Sequence, residues 1–102
     1  MLNDFVREVE TVLGMPKDLI FKESLKSFLT AKIEENDKLI QALTDKYGVP
    51  GYLELEDKIK KGEVPGHPAW EDVILWEQLF KHNVKLHELV QKIEMGEEVG
   101  LS

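Results

Sequence analysis

PKDLIFKESLKSFLTAKIEENDKLIQALTDKY, residues 16–47, reads as one continuous helix, and its reading decides the fold. At ~1.5 Å rise per residue, its roughly thirty residues span about 45 Å. Pro16 suits a first helical position, because its missing N–H would have no intrahelical partner there. Asp18 follows in the first turn, where a carboxylate meets the positive end of the helix dipole. Tyr47-Gly48-Val49-Pro50 stops the helix: the glycine can take a left-handed cap, and the proline cannot continue. Between these marks runs a seam of Leu29, Ile33, Asn36, Ile40, Leu43 and Tyr47, spaced alternately four and three. That spacing turns one narrow face toward a partner helix. A second apolar row, Phe21, Leu25 and Phe28, flanks the start of the seam and ends at Lys32.

Upstream, Leu2, Phe5, Val6, Val9, Val12 and Leu13 recur at helical spacing, which predicts a short helix from about Asp4 to Leu13. Asn3 or Asp4 can cap it, and Gly14 ends it. This helix is the nearest cover for Phe21, Leu25 and Phe28 and is expected to fold back onto them. Downstream, Gly51 to Gly62 predicts a helix of two to three turns, with Glu56–Lys60 and Asp57–Lys61 four apart in the favourable order. Too short to persist alone, it must dock through Leu55 and Ile59. The segment Gly62-Glu63-Val64-Pro65-Gly66-His67-Pro68 is the clearest loop. A last helix runs from near Pro68 to about Met95. Its seam is read as Leu75, Leu79, His82, Leu86, Leu89 and Ile93, with Val73, Trp76, Phe80, Asn83, His87 and Val90 as a parallel row. Residues 96–102 read as a frayed acidic tail.

The expected fold is therefore all-α, a single domain over residues 1–102. It is an antiparallel pair of long amphipathic helices with two short ones. In that pairing Asn36 falls within about one turn of His82. Two polar residues in otherwise apolar seams are expected to satisfy each other and fix the register.

Composition narrows the function. The chain of 102 residues is large enough for a core with little surplus burial. Its net charge of −7 argues against a general nucleic-acid surface, which is usually basic. There are no cysteines, which excludes disulfides, thiol catalysis and thiolate metal sites. No apolar run approaches a membrane span, and the opening MLNDFVREVE is too acidic for a signal peptide, so a cytoplasmic location is expected.

Nothing in the chain points to catalysis. Ser24, Ser27 and Ser102 are its serines, and none sits in a nucleophile turn. No glycine-rich phosphate loop is present. His82 and His87 are five apart, about 140° around a helix, and no Glu-x-x-His pair supports a di-iron site. No enzyme activity, metal or cofactor is expected.

The apolar rows exceed what one chain can cover. Each fully buried Leu, Ile or Phe is worth roughly 1.5–3 kcal/mol, so an open row favours association. Phe21, Leu25, Phe28, Leu29, Trp70, Trp76 and Phe80 are the interface candidates, and a homodimer forming a four-helix bundle would cover them.

The run from Leu13 through Leu29, then Tyr47-Gly48-Val49, then Trp70-Glu71-Asp72 ahead of a Leu- and Lys-rich helix, resembles small archaeal and bacterial all-helical proteins. These are described as hypothetical, or as antitoxins paired with a small toxin. The resemblance implies a non-catalytic, partner-binding protein, with a cognate toxin as one possible partner. Pro16 to Ile33 also resembles the second half of a ribbon-helix-helix module, though no strand precedes it. Two alternatives stay open. One is a DNA-binding regulator using the basic row Lys17, Lys22 and Lys26, although base readout leans on arginine and Arg7 is the single one. The other is a helical-bundle metal or ligand binder.

Overall fold

The structure is a computed structural model that describes residues 2–96. Its helices are α1 (Leu2–Leu13), α2 (Lys17–Tyr47), α3 (Tyr52–Lys60) and α4 (Gly66–Glu94). No strand occurs among the described residues, so the fold is all-α, as the spacing predicts. The tail expected over residues 96–102 lies, from Glu97 onward, outside the described residues.

The helix ends follow local chemistry. Gly48 sits at φ 65°, ψ 31°, and its N–H bonds to the Thr44 carbonyl at 2.8 Å. A left-handed glycine of this kind closes a helix at no steric cost. Pro16 stands one place earlier than expected, as an extended N-cap at φ −72°, ψ 152°. With no hydroxyl or carboxylate at that cap, the Lys17 N–H is accepted instead by Glu10 Oε2 of α1, at 2.9 Å. That bond ties the first two helices at their junction. His67 is non-helical at φ −117°, ψ 125°, the conformation that a following proline favours. The regular part of α4 thus starts at Pro68.

α2 and α4 run antiparallel. As the contact climbs α2 from Lys26 to Asn36 to Lys46, it descends α4 from Glu94 to Asn83 to Asp72. α3 packs beside α4, with the Tyr52 and Phe80 rings 6.0 Å apart. The core gathers at this end: Leu43, Val49, Leu55, Val73, Trp76 and Leu79, with Ile40, Tyr47 and Ile59 packed around it.

Two expectations need correction. On α4 the buried line is Val73, Trp76, Leu79, Asn83 and Leu86, which draws on both predicted rows. Leu75 and Leu89 are 41% and 46% exposed, and His82 is exposed. The reason is that α4 has two neighbours: Val73, Trp76 and Leu79 join the core with Leu55 of α3, while Asn83 meets Asn36 of α2. The second correction concerns α1, which buries none of its residues. Phe21 and Leu25 are half-buried, but Phe28 remains 62% exposed, so the expected cover does not reach Phe28.

The molecule is long, at 61 × 23 × 19 Å, with a radius of gyration of 19.8 Å. A compact chain of this length would have roughly 13 Å.

Leu53 and Leu55 provide the test of where the core lies. Leu55 is fully buried and Leu53 is 62% exposed on the same helix. Leu55→Ala is expected to lower stability by about 2–5 kcal/mol, as a buried leucine truncation does. Leu53→Ala should change it by less than about 0.5 kcal/mol. Urea unfolding of both variants checks the contrast.

Candidate functional site

The most specific chemistry lies midway along the α2–α4 seam. Asn36 and Asn83 are both buried, the former from α2 and the latter from α4. Asn36 Nδ2 donates to Asn83 Oδ1 at 2.9 Å and lies 3.1 Å from His82 Nδ1. An amide NH2 can only donate, so His82 Nδ1 is the accepting atom of this contact. Asn83 Nδ2 in turn donates to Asp37 Oδ1 at 2.9 Å. Asp37 accepts only, which fixes the orientation of both amides in a chain from carboxylate to imidazole. Among the described residues, no buried side-chain nitrogen or oxygen lacks a partner.

The predicted contact between Asn36 and His82 is therefore present, but His82 is the exposed end of the cluster. Asn83 supplies the buried partner. It stood in the parallel row one position along, and the packing of α4 against both α2 and α3 places it in the seam. Ile33 and Leu86, both buried, belong to the same stretch of seam.

A second polar lock holds the end of α2 to the start of α4. Lys46 Nζ and the Tyr47 hydroxyl both donate to Asp72 Oδ2, the lysine at 2.9 Å. The Tyr47 bond, then the Lys46 bond, pull the Asp72 carboxyl below its ordinary 3.8. Burial, then the bond to Asp72, pushes the Tyr47 phenol up. Asp72 near a helix N-terminus is also favoured by the dipole.

The remaining predicted residues are dispersed. Trp76 is 2% exposed and belongs to the core, so it is not available to a partner. Phe80 and Trp70 are exposed, and Leu29 is half-buried. Lys32 Nζ sits 5.7 Å from the centre of the Phe28 ring. Of the basic row, Lys22 and Lys26 are half-buried, and Lys26 pairs with Glu94 at 3.5 Å. Lys17 is five residues from Lys22, about 140° around the helix, so the three make no single basic face. The grooves on the surface are shallow and open; one runs along Glu23, Ser27 and Ala31 of α2. Among the described residues no three His, Asp or Glu side chains are placed to hold a metal ion. None of the described helices is long and apolar enough to cross a membrane.

What the geometry offers instead is open apolar surface. Leu75, His82 and Leu89 recur every seven residues and form an outer row on α4, bordering the seam where His82 reaches Asn36. At the far end, Leu2, Phe5, Val12, Leu13 and Leu19 stand exposed on α1 and the first turn of α2.

Fold and surface together define a small, elongated helical protein with a polar-registered seam and uncovered apolar rows. The chain belongs to the Uncharacterized protein MJ0235 family, whose family model matches residues 1–98. No curated protein and no solved structure matches it.

Asn36→Leu should cost stability, because Asn83 Oδ1 is then buried without its donor, a loss of about 1–3 kcal/mol partly offset by the added apolar burial. Replacing Asn36 and Asn83 together by Leu should recover stability relative to either single change. A double-mutant cycle should therefore give a coupling of about 0.5–3 kcal/mol. A coupling indistinguishable from zero would mean that the two amides do not hold each other.

Asp72 carries a pH signature. Its folded carboxyl is depressed, so its stabilising contribution is complete above the ordinary carboxylate value and fades as pH falls through the depressed one. Asp72→Asn should lower stability at neutral pH and flatten the acid limb of the stability–pH curve. Unfolding midpoints measured from neutral pH down to strongly acidic solution check both effects.

Proposed function

We propose that this protein is a non-catalytic, cytoplasmic interaction module that works as a homodimer, two copies closing one helical bundle. One observation carries the reading. The chain exposes 7501 Å², against roughly 5,900 Å² for a monomeric protein of its mass. The surplus, roughly 1,600 Å² per copy, lies in the range that permanent homodimer interfaces cover.

The surplus is apolar where it matters. Among the described residues fifteen large hydrophobic side chains stand exposed; Leu2, Phe5, Val12, Leu13 and Leu19 gather at the α1 end, and Leu75 and Leu89 stand on the outer row of α4. A long two-helix scaffold with a short third helix at one end cannot wrap its own rows. A second copy supplies the missing layer. The polar seam supports this role, since a buried amide pair holds the rows in one register and so presents one surface.

The antitoxin-like form of the reading adds a small toxin as an occupant of the same apolar surface, in competition with self-association. Operator binding has less support, because Lys17, Lys22 and Lys26 do not gather on one face.

Sedimentation equilibrium of the intact protein, from low to high micromolar, tests the dimer. The expected mass is twice the chain's 11.8 kDa. A mass that stays at one chain throughout that range would end the homodimer reading.

A further inference from the structure

We propose that the two copies meet through their α1–α2 hairpins, with α1 and the first turns of α2 in each chain closing into a four-helix cluster. This rests on the homodimer reading above and says where the contact lies.

Four observations locate it. First, Glu94, the last residue of α4, meets Lys26, so residues 17–25 of α2 run past the last turn of α4 with α1 beside them. Second, α1 buries none of its residues, and Phe5 and Val12 are 60% and 82% exposed. Leu2, Phe5, Val9, Val12 and Leu13 share one side of that helix by their spacing. A helix of 12 residues is too short to persist in water without packing, so its apolar stripe needs a cover. Third, the exposed apolar surface of α1 continues onto α2, where Leu19 and Phe28 stand exposed alongside it. The outer row of α4 is by contrast interrupted by exposed His82.

The fourth observation is charge. α1 carries Asp4, Glu8 and Glu10 against Arg7, while residues 17–25 of α2 carry Lys17 and Lys22 against Asp18 and Glu23. A two-fold axis at this end lays α1 of one copy along α2 of the other. The acidic side chains of α1 then meet Lys17 and Lys22 at the rim of an apolar contact. The acidic polar face of α1 also disfavours an anionic lipid surface as its cover.

The test compares two double variants of the full chain by sedimentation and light scattering. Phe5→Glu with Val12→Glu places charges on the α1 stripe at positions already exposed in the single chain. Leu75→Glu with Leu89→Glu does the same on the outer row of α4. The expected result is a dimeric wild type, a dimer with the α4 pair, and a monomer with the α1 pair. The dissociation constant of the α1 pair should rise at least about a hundredfold.

The reverse pattern, with the α4 pair monomeric and the α1 pair dimeric, would overturn the hairpin contact while leaving the homodimer standing. A monomeric wild type would remove the homodimer and this contact with it. If the α1 pair loses helix by circular dichroism, a nitroxide on Val12→Cys decides, the chain having no cysteine of its own. Dipolar broadening between labels that vanishes on mixing with unlabelled chain supports the contact. No broadening in a dimeric sample overturns it.

Discussion

Two long amphipathic helices laid side by side can slide, because one leucine in a seam resembles another. The hydrogen bond between Asn36 and Asn83 removes that freedom. A slip by one turn would leave both amides buried with no partner, at a cost of about 1–3 kcal/mol for each polar group. The rest of the fold follows from the register so set. Tyr47 and Lys46 reach Asp72 at one end and Lys26 reaches Glu94 at the other, each at the level that the amide pair dictates.

The same register explains the lopsided distribution of the core. Trp76, Leu43 and Leu55 close at the end where α3 supplies a third wall, and Leu55 has no exposed surface at all. Beyond Ile33 and Leu86 no third helix among the described residues covers the seam as α3 does, and α1 buries none of its own residues. One chain therefore divides into a packed half and an open half. The open half carries Leu2, Phe5, Val12, Leu13 and Leu19, all exposed.

On α2 most of the structure could be read from the residues. Apolar positions there are sparse, and Ile33, Asn36, Ile40, Leu43 and Tyr47 leave a single face to choose. Gly48 and Pro50 mark the stop by backbone chemistry that hardly depends on neighbours. On α4 the same method chose wrongly between two rows. Val73, Ile74, Leu75, Trp76, Leu79 and Phe80 carry apolar surface most of the way round the helix, so periodicity has no sharp maximum there. The polar cluster was half legible for the same reason: Asn36 and the neighbourhood of His82 were found, while Asn83 and Asp37 were not.

Sequence by itself determined that the chain is helical, where its helices stop, and that Asn36 faces a polar partner across an antiparallel seam. These depend on spacing, caps and turn residues, which act within a few positions along the chain. Only the tertiary structure decided that Asn83 is that partner, that Trp76 is core, and that α1 leaves Phe28 uncovered. Each of these depends on which faces of α4 meet α2 and α3 and on how far α2 outruns it. Both are set by the docking of α3 and by the seam register, contacts between residues remote in the chain that no local pattern encodes.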